Sequence, residues 1–113
     1  MIKKKLTVKQ MSQKSENEAA KKYGGRTQIA SGALSHSKGD IKTETFLIED
    51  KVTAKGSYSI ASSVWNKIRK QGLQIGRLPL LRVTINCTSQ SETVIVMDET
   101  DFLAMMCELS NKK

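Results

Sequence analysis

Apolar positions along the chain follow two periods. Ala19, Ala20 and Tyr23 fall on one helical face with Glu16, at i+3, i+4 and i+7. This predicts a helix from about Ser15 to Tyr23, with Ser15 as N-cap, Glu18 at its third position in a capping box, and Gly24-Gly25 as the stop. Arg26 to Ala30 alternates weakly, as a strand would. Ser31 to Gly39 is rich in Ser and Gly and reads as a loop. Two strands follow, about Asp40 to Thr43 and Thr45 to Thr53. Ile60, Val64 and Ile68, joined by Trp65, mark a helix within Ser57 to Gln71, and Gly72 to Pro79 is a connection. Leu81, Val83 and Ile85 alternate as a strand. After a turn, Thr93 to Met97 reads as a strand of the buried type, and Asp98 or Thr100 caps a last helix carrying Phe102, Leu103, Met106 and Leu109. The expected order is α-β-β-β-α-β-β-α, an α/β fold with a mixed central β-sheet flanked by helices.

The two central strands carry the chain's most informative cluster. Residues i and i+2 of a strand share a face, so Glu49 and Lys51 point the same way. A hairpin register that pairs Ile41 with Ile48 sets Asp40 opposite Glu49 and brings the acids together. That register leaves only Glu44-Thr45 as the loop. This is not favoured two-residue turn chemistry, so a wider or bulged turn is expected. By the same alternation Asp50 shares a face with Phe46, Ile48 and Val52. An unpaired buried carboxylate is costly there, so Asp50 needs a partner or the strand must bend.

Composition narrows the function. At 113 residues the chain is one domain, read as a basic arm over 1–13 and a single folded unit over 14–113. The net charge of +8 and pI of about 9.7 favour a polyanionic partner, nucleic acid above all. Cys87 and Cys107 form no C-x-x-C pair. They read as reduced, buried small hydrophobes in a cytoplasmic protein, although a disulfide between them stays open. No apolar run reaches membrane-spanning length and no signal peptide is seen, so no membrane partner is expected. His36, the single histidine, reads as a loop residue. Two carboxylates and an ammonium gathered in a basic chain suggest a cation-bridged anion site. Hard oxygen ligands suit Mg²⁺, and metal with lysine suits a phosphodiester.

The motifs appear in an order that resembles the PD-(D/E)XK nuclease superfamily. They are Glu16 in the first helix, Ser31-Gly32, Gly39-Asp40, Glu49-Asp50-Lys51, then Thr53 through Tyr58. More narrowly the chain looks like the archaeal-type Holliday junction resolvases and small resolvase-like endonucleases of bacteriophages, over roughly residues 14 to 97. The resemblance implies a restriction-endonuclease-like fold. It also implies Mg²⁺ or Mn²⁺ held by Asp40, Glu49 and Glu16, with Lys51 and Ser31 as further catalytic residues. Glu18 competes with Glu16 as the helix ligand. Gly39 stands where a proline is usual, and Asp50 where an apolar residue or cysteine is usual. Cleavage would leave 5′-phosphate and 3′-hydroxyl ends.

Arg26, Lys38, Thr53, Lys55, Ser57 and Tyr58 are candidate DNA contacts, since hydroxyls and cations on a glycine-containing loop suit phosphates. The expected partner is branched DNA. A four-way junction needs two matched cuts, which implies a homodimer, with Met97, Phe102, Met105, Met106 and Trp65 available for its interface or for the core. A nicking or repair-type nuclease, or a DNA-binding module whose acids are structural, are the rival readings. The expected location is the cytoplasm, that of the host cell for a phage protein.

Overall fold

The first helix begins about two turns earlier than its apolar face suggests, and a second capping box lies upstream. The structure, a computed structural model, describes residues 7–27 and 41–111. In it α1 spans Val8–Tyr23. Thr7 is the N-cap: its hydroxyl accepts from the Gln10 N–H at 3.1 Å, and the Gln10 Oε1 accepts from the Thr7 N–H at 2.8 Å. Ser15 and Glu18 are therefore mid-helix and cap nothing. The segment read as a basic arm ends inside α1. Gly24 closes the helix in the left-handed region, φ 68°, where glycine carries no side-chain penalty.

The remaining elements are β1 (Arg26–Thr27), β2 (Ile41–Lys42), β3 (Phe46–Val52), α2 (Ser62–Ile75), β4 (Leu78–Ile85), β5 (Glu92–Met97) and α3 (Glu99–Asn111). The strands form one sheet in the order β1-β2-β3-β4-β5. β3 and β4 run parallel and every other neighbouring pair is antiparallel, so the sheet is mixed. The parallel pair is joined by α2, as a crossover requires. The fold is thus α/β, with a mixed sheet flanked by helices.

The hairpin register is the expected one, with Ile41 opposite Ile48 and Lys42 opposite Leu47. Its turn does without glycine because Thr43 supplies the missing acceptor. The Thr43 hydroxyl takes hydrogen bonds from the backbone N–H groups of Thr45 and Phe46, and Arg77 Nε donates to the Thr43 carbonyl at 2.8 Å.

Two apolar layers follow from strand alternation. On one face Ala19 and Ala20 of α1 pack with Ile41, Ile48 and Leu80, with Phe46 and Met97 against them. The small alanines let α1 lie close to the sheet. Leu47, Leu81 and Val83 alternate to the other face, where α2 packs on β3 and β4 and Ile68 is buried. Gly72 permits this: a Cβ there would lie 2.6 Å from the Arg77 carbonyl oxygen.

Boundaries differ from the sequence expectation in four places. α2 starts at Ser62, leaving Ile60 exposed. β4 begins at Leu78 and includes Pro79. Proline fits because β5 ends at Met97, opposite Leu80, so no ladder partner waits for the missing N–H. β5 is an edge strand with Val94 and Ile95 exposed, not a buried one. α3 has no buried residue, and Cys107 on it is exposed and free; Cys87 is half-buried and also free. Among the described residues no helix is long and apolar enough to cross a membrane.

Candidate active site

Glu49 and Lys51 stand on one face of β3, in register with Leu81 and Val83 of β4. Lys51 Nζ lies 3.3 Å from Glu49 Oε2. The pair sits where β3 emerges from its neighbour. β2 covers only Leu47 and Ile48, so from Glu49 onward that edge of β3 has no strand partner among the described residues. The side chain that α1 brings toward this strand comes from the opposite layer.

Glu16 is that side chain. It is half-buried, one turn before the Ala19–Ala20 contact. Its carboxyl is held above the usual carboxylate range, first by burial, then by the negative charges of Asp50 and Glu49. Glu18 is exposed on α1. Of the two competing helix acids, Glu16 is therefore the one that meets the strand acids. Each strand acid is paired with a base, yet their charges still act on Glu16, and a carboxyl so placed suits a cation.

Asp50 has the partner its burial demands. Arg82 Nη1 donates to Asp50 Oδ1 at 2.8 Å and to Ser15 Oγ at 2.7 Å. Asp50 and Arg82 are opposite each other across the parallel β3–β4 pair, on the face that α1 covers. Burial works against the arginine's charge, but its hydrogen bonds to Asp50 and Tyr23 and their charges outweigh this and hold its pKa above the ordinary value. One guanidinium thus ties α1 to β3 beside Glu16. Arg82 was not singled out from sequence, and Ser15 only as a helix cap. The signal was there: a lone arginine in the run Leu80-Leu81-Arg82-Val83 is a buried charge, and Asp50 is the buried acid that lacked a base.

The segment after β3 is pinned to the end of β4. The Thr53 N–H donates to the Thr84 carbonyl at 2.9 Å, the Cys87 N–H to the Thr53 carbonyl at 3.0 Å, and the Asn86 N–H to the Lys55 carbonyl at 2.9 Å. Lys55 and Ser57 are exposed on this loop, Tyr58 and Thr53 half-buried. They follow directly from the strand that carries Lys51. Arg26 does not join them. It pairs with Lys42, level with Leu47, two rungs from Glu49 toward the hairpin turn, where it lines a cleft with Arg77 and Glu44. Asp40, Ser31, Lys38 and His36 lie outside the described residues. A larger cleft of about 650 Å³ opens at the far end of β4, between α2 and the start of α3, with Arg69, Lys70, Arg77, Asp98 and Asp101 on its walls.

Among the described residues no group of three or more His, Cys, Asp and Glu side chains is arranged to hold a metal ion. The described part supplies two candidate ligands, Glu16 and Glu49. No protein-family model matches the chain, and no curated protein or solved structure is significantly similar to it.

Proposed function

We propose that the chain is a metal-dependent DNA endonuclease of the PD-(D/E)XK kind, with a restriction-endonuclease-like arrangement of its sheet and helices. The observation that carries this is the pair of Glu49 and Lys51, 3.3 Å apart on one face of β3, with Glu16 of α1 placed where the charges of Asp50 and Glu49 act on it. Asp40 enters the reading from sequence. It directly precedes Ile41, whose partner is Ile48, the neighbour of Glu49.

In this reading Glu16, Glu49 and Asp40 would hold Mg²⁺ or Mn²⁺. Bound there, the cation supplies Lewis acidity to the scissile phosphate and makes water a competent nucleophile. Lys51 offsets the negative charge that builds on the phosphate oxygens, and Glu49 keeps its ammonium in place. A water oxygen adds to phosphorus while the bond to the 3′ oxygen breaks. The 3′ oxygen leaves with a proton, giving 3′-hydroxyl and 5′-phosphate ends. Lys55, Ser57 and Tyr58, with Thr53, contact backbone phosphates and fix the strand without reading its bases. Ser31, Lys38 and Arg26 belong to the reading on sequence alone.

The preferred substrate is branched DNA, a four-way junction cut by a homodimer in the cytoplasm. A nicking or repair-type nuclease uses the same site on a different substrate. A DNA-binding module without catalysis is the remaining rival, in which these acids are structural. Incubation of the full chain with a four-way junction, a nicked duplex and a linear duplex, each with Mg²⁺, separates these. Junction cleavage in paired strands supports the resolvase. Equal cleavage of the linear duplex removes it and keeps the nuclease. No cleavage of any substrate, with binding intact, leaves the non-catalytic module.

A further inference from the structure

The loop that leaves β3 has no regular structure of its own, and backbone hydrogen bonds to the end of β4 and the turn beyond it hold it in place. Two of these bonds come from adjacent residues. The Asn86 N–H donates to the Lys55 carbonyl, and the Cys87 N–H donates to the Thr53 carbonyl. In an extended strand neighbouring N–H groups point to opposite edges, so both could not serve one loop. Asn86 breaks the alternation. Its φ is 51°, in the left-handed region, and among the described residues it is the one non-glycine residue with a positive φ. Asparagine tolerates this conformation better than most side chains do. The turn is completed by the Ser89 N–H, which donates to the Asn86 carbonyl at 3.0 Å.

The side chain of Asn86 lies against the same loop. Glycine stands at position 56, where a Cβ would come to 3.4 Å from Asn86 Oδ1, so the amide borders the backbone next to Lys55. Lys55 is also turned back toward β3, because its N–H donates to Thr53 Oγ1 at 3.1 Å. Asn86 thus holds the Lys55 carbonyl and Thr53 holds its N–H, while the Lys55 side chain is exposed. Ile85 already faces Glu92 across the β4–β5 hairpin, so joining those strands calls for neither tie to the Lys55 loop. What the ties do is order the backbone that carries an exposed ammonium. A loop ordered in advance does not lose that freedom when its anion arrives, which is how pre-organisation strengthens a contact.

We propose that Asn86 is a positioning residue for DNA binding: its left-handed backbone sets the Lys55 loop in the conformation that meets a backbone phosphate. This rests on the proposed function for the identity of the anion. It adds a residue of the β4–β5 turn that acts through Lys55 and does not itself touch the substrate. The experiment is binding of the full chain to a four-way junction without divalent metal, over a series of salt concentrations. The proteins are the wild type, Asn86→Ala, Asn86→Gly, Lys55→Ala and the double variant Asn86→Ala with Lys55→Ala. Asn86→Ala should weaken binding and lower the slope of log affinity against log salt, by no more than the change of about 1 expected for Lys55→Ala. The double variant should bind as Lys55→Ala alone does, to within about twofold, because both changes remove one contact. Asn86→Gly adopts the same φ without strain and should bind as the wild type does. Losses that multiply in the double variant overturn the proposal. So do wild-type binding by Asn86→Ala, an equal loss in Asn86→Gly, and a lowered melting temperature with the salt slope unchanged. If Asn86→Ala fails to fold, amide exchange in the wild type decides. Protection of the Asn86 and Cys87 N–H groups that rises when the junction binds supports the proposal, and protection that the junction leaves unchanged overturns it. Cleavage does not enter. A wild type that binds no DNA overturns the proposed function as well, whereas DNA binding that ignores Asn86 overturns this inference alone.

Discussion

Two acid–base pairs stand next to each other on β3 and face opposite ways. Glu49 and Lys51 form one, at 3.3 Å, with side chains 16 % and 36 % exposed. Asp50 and Arg82 form the other, at 2.8 Å, with side chains 1 % and 9 % exposed. The first is worth little to stability, on the order of 1 kcal/mol, because water reaches the lysine and part of the glutamate. The second is worth little as a pair yet a great deal if halved, because a lone charge would be left in the interior. Strand alternation is all that separates them in sequence. It sends Asp50 under α1, where a base must meet it, and sends Glu49 and Lys51 to the other face, where both side chains are more exposed than those of the buried pair. The more exposed charged pair is the better candidate for chemistry.

The largest effect tests the exposed pair. Lys51→Ala, Glu49→Gln and Asp40→Asn should each lower single-turnover cleavage by about 10³-fold, the scale on which a transition-state charge partner is lost. Thermal melting of the Lys51 and Glu49 variants should move little. Glu16→Gln should lose more cleavage than Glu18→Gln, because Glu16 is half-buried where the charges of Asp50 and Glu49 act on it, whereas Glu18 is exposed. Near-wild-type cleavage by the Glu49 variant would reject the site assignment. A large loss of stability at Lys51 would erase the contrast between the pairs.

The buried pair should behave in reverse. Arg82→Ala leaves Asp50 buried without its base and should cost about 3–5 kcal/mol in urea unfolding. Replacing both partners, Asp50→Leu with Arg82→Met, should restore stability to within about 1 kcal/mol of the wild type or exceed it. Since the pair lies on the other face from Glu49 and Lys51, that double variant should keep cleavage to within about tenfold, allowing for a looser seat of α1 once Ser15 loses its tie. Recovery of stability with cleavage lost as completely as in Lys51→Ala would show the two pairs to be one unit.

A smaller effect concerns the loop that leaves the exposed pair. Lys55→Ala should weaken DNA binding a few-fold and evenly across sequences. It should also reduce the slope of log affinity against log salt by about 1, the signature of one phosphate contact removed. An unchanged slope would take Lys55 off the DNA path.

How legible this was in the sequence depended on whether a feature was local. The pairing of Ile41 with Ile48 follows from alternation and was readable. So were the shared face of Glu49 with Lys51 and the need of Asp50 for a partner. The start of α1 was not, because Thr7-x-x-Gln10 and Ser15-x-x-Glu18 both have the pattern of a capping box and the pattern does not say which one the helix uses. Arg82 could be recognised as Asp50's base only once β3 and β4 were known to be neighbours. The exposure of β5 and α3 was invisible for a more general reason. Val94, Ile95, Phe102 and Met106 have the same pattern whether they fill a core or await a partner, since hydrophobic periodicity reports burial and not by what.

The smallest effect concerns Glu16, which stands between the two pairs. Its carboxyl is raised by burial first, then by Asp50, then by Glu49. The folded state therefore holds this proton more tightly than the unfolded state does. Stability then falls as pH rises from the ordinary carboxylate range through the raised value, and the loss persists at neutral pH. Glu16→Gln removes the ionisation. It should melt higher than the wild type at neutral pH, with the gain vanishing below about pH 4, where both states carry the proton. The group is half-exposed, so the gain should be roughly 1–3 °C. Equal melting temperatures at both pH values would mean that Glu16 does not face the acids of β3. Magnesium adds the second half of the test. A cation relieves the same repulsion, so Mg²⁺ should raise the melting temperature of the wild type at neutral pH and barely move that of Glu16→Gln. An equal Mg²⁺ response in the two proteins would remove Glu16 from the ligand set while leaving its electrostatic coupling to Asp50 and Glu49 intact.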